Sequence, residues 1–343
     1  MMIDLNQRTV VFIIPNHKLE GAQNFFRRIF SQIQANKKFL IVEEDSTFLK
    51  NLLLISSLEK AKNLTLFTTV NSNKLGLLFK ISHPSSRLVM RLGNTISLEI
   101  SKRSLKYFYH RLFYLVSIFF CQNFIFQSNV MKKDFIDFFK FKDSSKFIVI
   151  HNGVNSPDFN QKPEFLLPNN KKVNFLLVGS FKRQKGYDIF LSSIKSLDQA
   201  IKDRAHFHIC GDGAEFQEFK KNVLQFKLDS MISVYGHISP HTLYLQSDVY
   251  ILPSRFEGFS NSLIEALSYG LPAIVSDCPS ANREVITQGF NGVFFKNLSS
   301  ADLLKNILYM LENYQEFNKN NIQLDTYERF SLGSISKVYQ NLI

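Results

Sequence analysis

Residues 254–277 read SRFEGFSNSLIEALSYGLPAIVSD and follow an apolar run from Val249 to Pro253. The order predicts strand, loop, helix, strand. The first run stops at a proline, and Glu257 and Gly258 fall in the loop. A helical period then carries Asn261 to Tyr269, before Gly270 and Pro272 introduce a second apolar run, Ala273 to Asp277. Strands joined through a helix pair in parallel and are covered on both faces. Gly258 lets the backbone approach a ligand, and the amides of Ser260, Asn261, Ser262 and Leu263 at the helix start form an anion site. Glu257 and Glu265 have seven residues between them. One carboxylate is therefore expected in the loop and the other on the first helical turn, where both can accept from sugar hydroxyls beside a phosphate. Ser262 and Glu265 also spell a capping box, S-x-x-E, which would satisfy only the helix's own amides. Spacing alone supports both readings.

The same alternation extends in both directions. Strands are expected at Val173 to Gly179, His206 to Cys210, Ile232 to Tyr235 and Val293 to Phe295. Helices are expected at Asp188 to Ala200, Ala214 to Phe226, His241 to Gln246, Ala281 to Ile286 and about Ser300 to Tyr314. Together these predict a doubly wound, nucleotide-binding type of sheet. The loop after its first strand, VGSFKRQKGYD (178–188), carries Lys182, Arg183 and Lys185 ahead of Gly186. Three cations at the carboxyl edge of a parallel sheet can neutralise a diphosphate, and equally make an ordinary solvated turn. Neither a Walker A motif nor a full G-x-G-x-x-G occurs, and Gly211-Asp212-Gly213 is only a fragment of one.

Toward the N-terminus the pattern is strand (Thr9 to Pro15), a polar loop containing Gly21, and helix (Phe25 to Ile33). Further strand runs follow at Phe39 to Val42, Leu64 to Phe67, Arg87 to Met90, Asn123 to Gln127 and Phe147 to Ile150. This half is a second open α/β domain. Pro157, Pro163 and Pro168 among asparagines mark a boundary. The expected division is a domain at 1–155, a linker at 156–172, a second domain at 173–325 and a C-terminal helix at 326–343.

The chain has 343 residues, 45% of them hydrophobic and 20% charged, which suits two full cores and excludes a disordered chain. A net charge of +12 implies an anionic partner: nucleic acid, lipid headgroups or a phosphorylated small molecule. Three cysteines, an odd number in apolar surroundings, read as core residues of a reducing cytosol. The opening MMIDLNQR does not read as a secretory signal, and the longest apolar run, Leu112 to Phe120, is too short to span a bilayer. Residues 102–120, KRSLKYFYHRLFYLVSIFF, mix cations with aromatics as interfacial helices do, and equally as a domain helix with a solvated basic end would.

The ordered set VGSF…KG, CGDG, YGH, DVYILPS, E-x7-E, GLPAIVSD and NGVFF, over Val173 to Phe295, resembles family 4 of the retaining glycosyltransferases. In the first half the likeness rests on Glu20-Gly21-Ala22-Gln23, Phe126-Gln127-Ser128 and Val149 to Val154. The resemblance implies the GT-B fold, two facing Rossmann-like doubly wound domains with the C-terminal helix returning to the first, and transfer of a sugar from a nucleotide-diphosphate sugar to a glycan or lipid-linked acceptor. Bacterial surface polysaccharide synthesis, of the lipopolysaccharide or capsule kind, is the implied setting. It further implies donor contacts at Gly21, Ser180, Arg183, Lys185, Glu257, Gly258, Phe259, Ser260, Asn261, Ser262, Leu263 and Glu265. Glu257 would meet the sugar hydroxyls and Glu265 the ribose, and Lys185 with Glu257 would be catalytic. Where relatives carry a phosphate-binding arginine this chain has Ser180, so Arg183 or Lys182 supplies that charge or the grip is looser.

Where many relatives carry a histidine at a strand end, Arg91 stands instead. His17, His83 and His110 are nearby alternatives, and no general base is assigned. His206 and His208 share a strand face without a third ligand, and no Asp-x-Asp occurs, so neither metal nor other cofactor is expected. The expected location is the cytoplasm, peripherally on the inner membrane's cytoplasmic face, with no nucleic-acid partner. Two other readings fit less of the sequence: a nucleotide-sugar epimerase of the same fold, and a non-enzymatic binder of anionic surfaces.

Overall fold

The computed structural model describes residues 9–15, 21–42, 64–69, 72–93, 95–167 and 172–343. The chain divides into two compact units, one running through Gly153 and resuming at Leu332–Ile343, the other Val154–Ser331.

In the first unit the elements are β1 (Thr9–Pro15), α1 (Gly21–Gln32), β2 (Asn36–Val42), β3 (Leu64–Thr69), α2 (Ser72–Ser82), β4 (Arg87–Arg91), α3 (Ile96–Glu99), α4 (Leu105–Phe120), β5 (Asn123–Phe126), α5 (Asn129–Phe139) and β6 (Phe147–Val149). The strands form one parallel sheet ordered β2-β1-β3-β4-β5-β6. All six residues of β3 are buried, as expected of an inner strand covered on both faces. One face carries Val11, Leu66, Leu88, Phe124 and Phe126 under α4 and α5. The other carries Val10, Phe12, Phe67 and Val89 under α1. Gly21, expected in a loop, is the first residue of α1.

The second unit comprises β7 (Val173–Val178), α6 (Tyr187–Ile194), α7 (Gln199–Lys202), β8 (Ala205–Cys210), α8 (Phe216–Gln225), β9 (Ile232–Gly236), α9 (His241–Gln246), β10 (Val249–Leu252), α10 (Asn261–Ser268), β11 (Ala273–Ser276), α11 (Asn282–Val285), β12 (Gly292–Phe295), α12 (Ser300–Asn313) and α13 (Lys319–Phe330). Its sheet is also parallel, ordered β12-β11-β10-β7-β8-β9. From β7 the chain winds outward to β9, then returns to the other side at β10. The loops leaving β7 and β10 therefore open the crevice where doubly wound sheets take their ligands.

Three boundaries differ from the expectation. The helix expected over Asp188 to Ala200 breaks after Ile194, because the Asp198 carboxylate accepts the Ile201 amide (2.9 Å) and starts a separate turn, α7. Residues 154–167, assigned to the boundary and linker, belong to the second unit. The Thr242 and Gln246 side chains hold the backbone at Glu164, Phe165 and Leu167, and Leu167 is buried in that unit's core. Pro168 lies outside the described residues. The single helix expected at 326–343 is the end of α13 and a separate α14 (Leu332–Gln340). Extended backbone at Ser331 (φ −61°, ψ 137°) parts them, because Ile322 and Phe330 pack in the second core, whereas Ile335 and Tyr339 pack in the first.

Helix α14 does return to the first unit, where it lies against α1. The Tyr339 ring meets those of Phe25 (6.0 Å) and Phe26 (6.4 Å). Arg91 sits beneath the same layer. It is 1% exposed, donates to Asn152 Oδ1 (2.5 Å) and lies 4.7 Å from the Phe25 ring centre. His83 stacks on Phe79 at the end of α2, His110 lies between Tyr109 and Tyr114, and His17 falls outside the described residues.

Candidate functional site where the second sheet reverses

The loops after β7 and β10 are stitched together by their backbones and side chains. Arg255 N–H donates to Gln184 C=O (2.8 Å), and Gln184 Nε2 returns a bond to Phe256 C=O (3.0 Å). The Arg255 guanidinium grips Asp188 with two bonds (2.7 and 2.6 Å) and donates a third to Arg183 C=O (2.8 Å). Gly186 makes this approach possible. Its φ is +69°, and a Cβ there would lie 2.0 Å from Pro253 O. Gly211, in the incomplete glycine motif, plays the same part after β8, with φ +152° and a Cβ position 1.9 Å from Gly179 O.

Within this frame Lys185 and Glu257 meet, Nζ to Oε1 at 2.6 Å. Lys185, expected on an exposed loop, has a side chain only 18% exposed, and that of Glu257 is 7% exposed. The Ser254 hydroxyl donates to the same carboxylate oxygen (2.7 Å). Ser180 is half-buried in the same loop as Lys185, and Arg183 is exposed on the turn 183–185 that leads to Lys185. Tyr187 O–H donates to Gly179 C=O (2.8 Å) and Tyr250 O–H to Ser262 Oγ (2.8 Å). Burial raises both phenols well above their ordinary range, so they remain neutral donors at pH 7.

The loop continues through Gly258, whose carbonyl accepts from Ala281 N–H (3.2 Å), and Phe259, which packs edge-on against Phe330. Ser260 is the N-cap of α10, and the helix's own ladder begins with Ile264 N–H on Ser260 C=O (3.4 Å). The helix start at Asn261, Ser262 and Leu263 thus points its positive end into the crevice. The capping box is not formed. Ser262 is the second helical residue and bonds Tyr250, and Glu265 is the fifth, a turn further than expected. A Glu265 oxygen lies 3.5 Å from the Tyr244 hydroxyl. Lys185, Glu257, Ser180 and the start of α10 are therefore brought to one sheet edge, whereas Gly21 opens α1 in the first unit.

Sequence reasoning missed Ser254, Arg255 and Asp188. Contacts between loops 67 residues apart leave no periodic signal. The pair His206 and His208 is engaged within the fold. His206 Nε2 meets Ser233 Oγ, and both ring nitrogens of His208 are occupied, by Asn174 and Tyr235, each at 2.9 Å. All three cysteines are free and buried.

Residues 158–324 match the family model described as glycosyl transferases group 1. A lipopolysaccharide 1,6-galactosyltransferase of Salmonella typhimurium is 28% identical over 168 residues, 47% of this chain and 45% of that protein. The N,N'-diacetylbacillosaminyl-diphospho-undecaprenol alpha-1,3-N-acetylgalactosaminyltransferase of Campylobacter jejuni is 28% identical over 281 residues, 77% of this chain and 72% of that one. Against several curated relatives the chain spans about half of their length. Among solved structures, Anabaena HepE in complex with UDP superposes with a TM-score of 0.80 over 97% of this chain and 99% of that one, at 15% identity. Two parallel six-stranded sheets with that likeness make the fold GT-B. Residues 158–324, just under half of the chain, are thus similar to the glycosyl transferases group 1 family.

Proposed function

We propose that this protein moves a sugar from a nucleotide-diphosphate sugar to a glycan or lipid-linked acceptor, retaining the anomeric configuration, in the building of a bacterial surface polysaccharide. The observation that carries the reading is the contact of Lys185 with Glu257 at the reversal of a parallel sheet, beside the start of α10. A buried carboxylate next to an ammonium offers an acceptor for sugar hydroxyls and a cation for phosphate in one place. The names of the Salmonella and Campylobacter relatives, and the UDP held by the Anabaena protein, favour the same chemistry.

In this mechanism the diphosphate lies between Lys185 and the α10 start. Negative charge grows on it as the bond to the sugar breaks, so these groups stabilise the transition state more than the ground state. Lys182 and Arg183, on the same loop, add the charge that Ser180 lacks. Glu257 orients the sugar through its hydroxyls, and Glu265 receives the ribose hydroxyls. No metal is assigned a part, because cationic side chains already stand where the diphosphate's charge would be, and activity should persist in chelator.

A thermal-shift panel of nucleotide sugars tests the reading, since a ligand that binds only the native state raises the melting temperature. One donor should shift it by several degrees, and the same donor should be consumed when a polyprenyl-linked glycan is added. A panel with no shift at saturating concentrations would remove the proposal.

A further inference from the structure

Helix α4 leaves a line of large apolar side chains in solvent. Leu105 is 87% exposed, Phe108 62%, Leu112 63% and Phe119 81%, with Tyr109 and Phe120 beside them. These positions fall within about a third of the helical circumference at the α-helical turn angle and run its full length, about 24 Å. Tyr114 and Ser117, on the opposite face, are the buried ones. The line is broadened by α2, which packs beside α4. The Lys74 ammonium lies 5.1 Å over the Tyr109 ring, and Leu78 and Ile81, exposed, follow it one and two turns along. A contiguous apolar surface of this kind marks a binding face.

Charge identifies what it faces. From residue 64 to residue 133 there are ten lysines and arginines and a single acid, Glu99. Lys102, Arg103, Lys106 and Arg111 are exposed at the start and flanks of the line. A second copy would set cation against cation. A nucleic-acid backbone would match the cations but leave Leu105, Leu112, Leu78 and Ile81 against water or phosphate. An anionic lipid leaflet satisfies both at once, with headgroups at the cations and acyl chains at the apolar line.

We propose that the α2–α4 face of the first unit is a membrane-docking surface, on which α4 lies in the plane of an anionic leaflet with Phe108, Leu112 and Phe119 below the headgroups. This goes beyond the sugar-transfer reading, because it concerns another surface and its test reads no catalysis. It also gives the interfacial-helix reading of residues 102–120 an exposed apolar line, which the sequence alone did not separate from a domain helix with a solvated basic end.

The test is cosedimentation of the full chain with phosphatidylcholine vesicles, with and without phosphatidylglycerol. Binding should require the anionic lipid, weaken as salt rises, and keep a salt-resistant fraction. The triple change Phe108→Ser, Leu112→Ser and Phe119→Ser should abolish that fraction and lower partitioning by about tenfold or more. Charge reversal at Lys102, Arg103 and Lys106 should lower it by roughly 10²-fold at low salt. All these side chains are exposed, so melting temperature should hold, and the two variants check one another if either one fails to fold. The chain has no tryptophan, so Phe119→Trp supplies a sole indole. Its emission should move to shorter wavelength on anionic vesicles and be quenched by brominated acyl chains. Three results would overturn the proposal: no vesicle binding, binding unchanged by both sets of substitutions, or an indole that sees no lipid while the protein sediments. Stronger retention on RNA or DNA than on vesicles, or burial of the indole by self-association without lipid, would overturn it in favour of another partner.

Discussion

Lys185 and Glu257 are each other's counter-ions, so a substitution at one also acts through the other. Lys185→Ala should lower turnover by roughly 10²-fold or more, because its ammonium acts on charge that grows in the transition state. It should also lower the melting temperature, since among the described residues the 7%-exposed Glu257 side chain would keep only the Ser254 hydroxyl. Adding Glu257→Gln to Lys185→Ala should restore the melting temperature and leave turnover low; if both recover together, the pair is structural. Glu265 separates differently. As the fifth residue of its helix it does not cap it, so Glu265→Gln should leave stability in place and weaken donor affinity by about tenfold through loss of a charge-assisted bond. Isothermal titration with the donor and a melt of the same variant decide it. The loop position of Glu257 was legible in the sequence because the strand, loop and helix around it are local, whereas Glu265 fell a turn further into the helix than expected. The Arg255–Asp188 clasp was not, since nothing in either segment names its partner.

The strand β8 carries a pH response of its own. Burial lowers His206 to about 4 and His208 to about 3. Their unfolded counterparts titrate near 6.5, so between roughly pH 6.5 and 4 the unfolded chain binds more protons, and stability falls as the pH falls. The double change His206→Gln and His208→Gln should flatten the melting temperature across that window, which a pH series of thermal melts would show. The alternation along AHFHIC predicted one shared face for the two rings. It could not say that Ser233, Tyr235 and Asn174 would occupy their nitrogens, because that depends on register with β7 and β9. The loops after β7 and β10 have a stricter requirement. Gly186→Ala would place a methyl carbon 2.0 Å from Pro253 O at a positive φ, and it should cost several kcal/mol by forcing those loops apart. Donor affinity should fall with stability in that variant, in contrast to Glu265→Gln.

The parallel sheets followed directly from the βα alternation, whereas the strand order of the second came only with the structure, since the β9–β10 return is no longer than the other connections. The unit boundary was placed too late, because prolines and asparagines mark an irregular backbone whether it floats free or is tied down, as Glu164 and Leu167 are. The chain crosses between units twice, at Gly153–Val154 and at Ser331–Leu332, the second crossing carrying the C-terminal helix back to the first unit as expected. Deleting residues 332–343 should therefore unsettle the first unit by stripping α14 from Phe25 and Phe26, while the melt of the second unit keeps its midpoint. A fragment spanning 154–331 should fold and bind nucleotide, since it carries every described group of the crevice; a fragment of 1–153 should not reach a native melt. The order of manufacture is thereby inverted. The ribosome makes most of the first unit before the second, yet the first unit's apolar layer stays incomplete until residues 332–343 have emerged, so the nascent chain must hold it open through the whole synthesis of its neighbour.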